Sequence, residues 1–206
     1  RDKTPPPADG AALGDLDGLD EETERSLRAF LKNPHAPPKM YGFRWDEGLV
    51  APWVPCEDAA LDGALAELRL GSHDLVVDLG CGDGRALLGA VRASGCRALG
   101  VELDEAVLAD ARRCVAESPA EVRDRVELRH GCVFEAVAAW SGGAAEERPS
   151  CVLLYMLPQA LGRLAPMLEP FLSGGMAVCT LRWEMPGWGT YASTSGRGWH
   201  VYRAQK

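Results

Sequence analysis

Acids and glycines at close spacing are the residues with the clearest chemistry. The stretch Asp78-Leu79-Gly80-Cys81-Gly82-Asp83-Gly84-Arg85 sets three alternating glycines among two carboxylates, and Glu102 ends the next apolar segment. Glycines at these positions permit positive φ and let a ligand approach the backbone closely. A nicotinamide dinucleotide asks for Gly-x-Gly-x-x-Gly, whose third glycine gives tight helix packing around a pyrophosphate. Here that place is taken by Arg85, and the flanking acids oppose a pyrophosphate. No Gly-Lys-Ser/Thr follows, which excludes a P-loop. Carboxylates suit a ligand with an ammonium group or a cationic sulfur, and an acid at the end of the following strand can accept both hydroxyls of a ribose.

These residues need elements to hold them. Leu75, Val76 and Val77 read as a strand buried on both faces (74–79), and Ala86-Leu87-Leu88-Gly89-Ala90-Val91 as part of a helix over 84–93, whose N-terminus offers unpaired N–H groups. Strand and helix patterns then alternate: strand 97–102, helix 104–117, strand 125–130, a short helix at 134–140, strand 151–155, helix 158–172 and strand 176–181. A helix from about Cys56 to Arg69 precedes them, with Gly71 as its stop, and Trp199-His200-Val201-Tyr202 forms a closing strand after a turn-like stretch at 187–198. Repeated βα units with short connections predict an α/β fold with a doubly wound, mostly parallel sheet and helices on both faces. In such sheets ligands bind beyond the carboxyl ends of the strands. Asp78 with the 80–84 loop, Glu102, Gly131-Cys132 and Tyr155-Met156-Leu157-Pro158 all fall at such ends.

A chain of 206 residues with 47% hydrophobic and 25% charged residues fits one globular domain. Its N-terminal portion is different in kind. Residues 1–38 are read as a flexible arm plus a short helix that begins near Asp20 and carries Leu27, Phe30 and Leu31; the domain occupies 39–206. Pro34 to Pro38 is a stiff linker, and Met40 to Trp45 gathers aromatics that either line a substrate mouth or fasten the arm. A net charge of -8 lacks the basic footprint of a nucleic-acid binder, and no apolar run is long enough to span a bilayer. Seven scattered cysteines without a Cys-x-x-Cys pair, and four dispersed histidines, suggest no metal site; an intracellular, reducing compartment, cytoplasm or mitochondrion, is expected.

With those residues in view, Asp78 to Gly84 followed by Glu102 resembles motif I and the next acidic position of class I S-adenosylmethionine-dependent methyltransferases, over roughly residues 50–185. Within that superfamily, Trp53-Val54-Pro55, Tyr155-Met156-Leu157-Pro158 and Arg182-Trp183-Glu184-Met185-Pro186-Gly187-Trp188 are most similar to the protein-lysine methyltransferases of the ATP synthase c-subunit and adenine nucleotide translocase, with related bacterial proteins. The resemblance implies a Rossmann-like seven-stranded sheet, S-adenosyl-L-methionine as cofactor and a protein substrate offering lysine.

It also implies site roles. Gly80, Cys81, Gly82, Asp83 and Gly84 border the methionine and ribose parts, Asp78 positions the loop or meets the amino group through water, Glu102 holds the ribose and Leu103 flanks adenine. Such enzymes usually carry an acid after the third strand; here Cys132 stands there, and backbone groups of Cys132 and Val133 are the expected substitutes. Tyr155 and Pro158 form the wall at the reacting centre, with Trp183, Trp188 or Tyr41 as further aromatics. No Asn/Asp-Pro-Pro-Tyr motif is present, which speaks against base or glutamine amide methylation. A small-molecule methyltransferase and a non-catalytic methyltransferase-like subunit are the alternatives.

Overall fold

The computed structural model describes residues 56–140 and 148–205. The arm, the helix near Asp20, the aromatic segment at 40–45 and Trp53-Val54-Pro55 lie outside the described residues, as does the 141–147 loop. Helix α1 (Asp58–Leu68) leads into β1 (Leu75–Leu79), α2 (Arg85–Ser94), β2 (Arg97–Glu102), α3 (Glu105–Ala116), the single turn α4 (Ala120–Arg123) and β3 (Val126–His130). Then come α5 (Val133–Trp140), β4 (Cys151–Leu154), α6 (Pro158–Leu172), β5 (Ala177–Leu181), β6 (Ala192–Gly196) and β7 (Trp199–Tyr202). The seven strands form one sheet in the order β3-β2-β1-β4-β5-β7-β6. The first five are parallel, whereas β7 runs antiparallel to both β5 and β6.

The apolar run in β1 is explained by burial on both sides. Val76 joins a cluster with Leu61, Leu87, Leu88 and Cys151 on one face, while Val77 and Leu79 join Leu161, Leu164 and Leu168 of α6 on the other. A period of two thus feeds two cores from one strand. Helix α6 begins with Pro158, a residue suited to a first turn because its missing N–H would be unpaired there anyway. Helix α3 begins at Asp104, whose Oδ1 accepts the N–H groups of Ala106 and Val107 at 2.8 and 3.2 Å.

Two local readings differ from the observed fold. The stretch 187–198, read as turn-like, contains strand β6, which is built from Ala, Ser, Thr and Gly. Its pairing with β7 creates the strand, and low intrinsic β preference concealed it. The α4 turn was also not apparent, being too short to show a period.

Trp199 locks the hairpin to α1. A methyl group at Gly63 or Gly196 would lie only 2.5 or 2.4 Å from its indole, so both glycines leave room for the ring.

Candidate functional site

Strand order reverses at β1, between β2 and β4, and the glycine turn leaves β1 at its carboxyl end. Gly80, Gly82 and Gly84 all have positive φ, at 79°, 56° and 78°. The turn is fastened to the neighbouring strand, since Val101 O accepts from Gly80 N at 2.8 Å and Cys81 N at 3.1 Å. Gly84 is also the N-cap of α2, so the first-turn N–H groups of that helix point back toward the turn. Space is tight as well: a Cβ on Gly80 would lie 3.0 Å from Met156 Cε.

Glu102 holds the other side. One carboxylate oxygen accepts the Gly82 N–H at 3.0 Å, and the other accepts those of Leu103 at 2.8 Å and Asp104 at 3.0 Å. The side chain is 8% exposed, and burial raises its pKa while these three bonds oppose the rise. Asp78 is 6% exposed and accepts no hydrogen bond among the described residues. Burial first, then the negative charges of Glu102 and Asp83, push its pKa well above the usual carboxylate range. A buried acid without a donor is an incomplete arrangement that a ligand ammonium would satisfy.

Asp83 has a different occupation. Its oxygens accept from the Arg85 Nε at 3.2 and 3.1 Å, from Nη2 at 2.8 Å and from the Arg85 backbone N–H at 3.2 Å. Its carboxylate therefore faces its own arginine, and braces the turn. Cys81 is buried with its sulfur packed toward Gly100, where a Cβ would lie 2.6 Å from Sγ. Cys132 and Gly131 follow β3, and the Cys132 carbonyl accepts the Ala136 N–H at 3.0 Å at the start of α5. Val133 is buried beside Val101 and Val137.

At the ends of β4 and β5, Tyr155 and Trp183 stack with ring centroids 5.9 Å apart and planes inclined by 24°. The Arg182 guanidinium lies 4.9 Å from the centre of the Trp183 ring. Arg182 has φ 74°, a left-handed conformation uncommon for this residue type, and its N–H donates to Gly198 O at 2.8 Å. Burial raises the Tyr155 phenol, and Arg182 opposes the shift through its charge and a hydrogen bond. Trp188 is placed elsewhere: it is buried in the core, edge-on to Tyr191 and Tyr202. Tyr41 lies outside the described residues.

Residues not singled out from sequence also border the site. Cys56 precedes α1 close enough to Asp78 for that acid to help burial raise its thiol to about 12. Met156 and Arg182 stood inside motifs read from the sequence but without a role of their own, and His130 only as the end of a strand.

The donors and acceptors fit a nucleoside joined to a charged amino acid: spare acceptor capacity on Glu102 Oε2 beside the glycine turn, and an acid, Asp78, that accepts no hydrogen bond among the described residues. Fold and site together define an S-adenosylmethionine-dependent methyltransferase. A family model described as the ANTKMT methyltransferase domain matches residues 78–192, and the chain belongs to that family. It is 27% identical over 138 residues to a protein-lysine N-methyltransferase of Saccharolobus islandicus (strain REY15A), covering 66% of this chain and 80% of that protein. Among solved structures, an RNA methyltransferase from Salinibacter ruber in complex with S-adenosyl-L-homocysteine aligns with a TM-score of 0.59 and 31% identity, covering 72% of this chain and 91% of the other.

Proposed function

We propose that this methyltransferase acts on the ε-amino group of lysine in a protein substrate. The observation that carries the reading is the stacked Tyr155–Trp183 pair at the carboxyl ends of β4 and β5, with β4 paired to β1, joined by the likeness to the Saccharolobus islandicus protein-lysine N-methyltransferase. Bound S-adenosylmethionine supplies an electrophilic methyl group on a cationic sulfur, which is left as a neutral thioether. Asp78 would meet its ammonium, Glu102 its ribose hydroxyls, the Gly80–Gly84 backbone its methionine and ribose, and Leu103 with Cys132 and Val133 its adenine. Tyr155, Pro158 and Trp183 would confine the lysine side chain in line with the methyl group and exclude water. As the nitrogen takes on positive charge, the electron-rich ring faces stabilise it. The lysine first releases its proton to solvent; the chain needs no nucleophile of its own. Seven free thiols agree with a reducing intracellular compartment, cytoplasm or mitochondrion, as its place of action.

Incubating the full chain with methyl-labelled cofactor and a cell extract tests this reading. Label recovered as methyl-lysine after protein hydrolysis supports it; label confined to small metabolites overturns it. The Salinibacter ruber relative makes RNA the second reading, which the net charge of -8 opposes. Ribonuclease-sensitive label would favour RNA.

A further inference from the structure

His130, the last residue of β3, lies opposite Glu102 in the parallel register of β2 and β3. Its Nε2 is 2.8 Å from the carbonyl oxygen of Leu103. On the other side of the same residue, the Leu103 N–H donates to Glu102 Oε1 at 2.8 Å. The two strand ends are tied again by Gly131 N, which donates to Glu102 O at 3.0 Å. Leu103 is therefore gripped at both its N–H and its carbonyl, by the ribose-side acid and by the imidazole of the neighbouring strand. The segment continues straight into the Asp104 cap of α3, so it is fixed at three successive residues.

We infer that His130 is a positioning residue for the adenosine half of the cofactor, holding the Leu103 segment in place through its carbonyl. The inference is independent of the methyl acceptor. To donate to a carbonyl the ring must carry its proton on Nε2, which the corresponding neutral tautomer and the imidazolium both do. Glu105 on α3, with Oε2 3.9 Å from the same nitrogen, is the charged group facing the ring from the packed helix. Cys132, two residues on from His130, would give an adenine edge there only a weak partner, so orientation would have to come from the frame around it.

The test is a calorimetric titration of the full chain, wild type, His130→Ala and His130→Gln, with S-adenosylhomocysteine and with adenosine. Loss of one hydrogen bond from the frame is expected to weaken both ligands in His130→Ala by roughly threefold to tenfold. Gln carries an N–H donor of similar reach, and restores most of the loss. The inference is overturned if His130→Ala binds both ligands within about twofold of wild type, if only S-adenosylhomocysteine weakens, or if His130→Gln binds no better than His130→Ala. The two ligands share adenosine alone, so equal weakening points to that half.

Discussion

Glu102 and Gly82 are joined across the site by a 3.0 Å bond from the glycine N–H to the carboxylate. This single contact links the turn after β1 to the end of β2. The acid thus shapes the turn, and in the proposed reading it also offers an acceptor to a ribose. Replacing it by Ala should loosen both, because bonds to a charged acceptor are worth about 1.5–3 kcal/mol each. We expect affinity for S-adenosylhomocysteine to fall by at least tenfold, read by calorimetry, with a smaller loss in Glu102→Gln.

Asp78 gives a pH dependence of known sign. Its raised pKa means that the folded chain holds the proton more tightly than the unfolded chain. Below the ordinary carboxylate range both states are protonated and the group contributes nothing. As pH rises from there to the raised value, the unfolded chain ionises first and the folded chain loses stability. Asp78→Asn removes the penalty, so its Tm without ligand should exceed wild type at pH 7.5 and converge with it in acid. The same variant should bind S-adenosylhomocysteine roughly tenfold more weakly at pH 7.5. Thermal melts with and without ligand across pH 4–8 check both halves; equal ligand-induced shifts in the two proteins would refute the ammonium contact.

Gly100 has no room for a methyl group. A Cβ would meet Cys81 Sγ and Leu87 Cδ1 at 2.6 Å and Leu128 Cδ2 at 2.8 Å. Gly100→Ala should cost about 1–3 kcal/mol by overpacking. Because Cys81 belongs to the turn, cofactor affinity should fall with stability. Urea melts and a binding titration measure the pair.

If the Tyr155–Trp183 stack lines the acceptor site as proposed, its variants separate acceptor handling from cofactor binding. Trp183→Ala should reduce methyl transfer to a lysine-bearing protein by tenfold or more, with the larger part in kcat/KM. Tyr155→Phe keeps the ring face, and should be milder than Tyr155→Ala. Steady-state kinetics with labelled cofactor decide it. Equal activity of wild type and Trp183→Ala would remove the ring from the acceptor wall.

Thiol reactivity follows burial. Cys56, Cys81, Cys96, Cys151 and Cys179 are buried, and burial raises each thiol, that of Cys179 to about 12. At pH 8 they remain protonated and enclosed. Brief iodoacetamide treatment should label the half-buried Cys114 and Cys132 first, and all seven only after unfolding; mass spectrometry gives the order.

Much of this architecture was legible because its signals are local. Leu75-Val76-Val77 could only be a strand covered on both faces, and the span of α6 follows from Pro158 at its start and leucines at helical spacing. Glu102 was legible because it ends an apolar run directly after a glycine turn and its helix. Strand β6 was not, since Ala, Ser and Gly in it carry little preference, Thr194 alone favours a strand, and the pairing with β7 supplies the order. Trp188 misled for a related reason: an aromatic near a site motif looks the same whether it faces a ligand or, as here, Tyr191 and Tyr202.

The amino-acid sequence by itself determined the succession of strands and helices, the glycine turn and the kind of cofactor, since periodicity, glycine torsions and acid spacing act over a few residues. Tertiary structure alone decided which groups remain available. Asp83 is taken by Arg85 while Asp78 has no donor among the described residues, although both acids flank the same glycines. Tyr155 meets Trp183 because β4 and β5 are neighbours in the sheet, and His130 reaches Leu103 because β2 and β3 share a register. Contacts of that kind arise when strands pair, and nothing in the spacing along the chain records them.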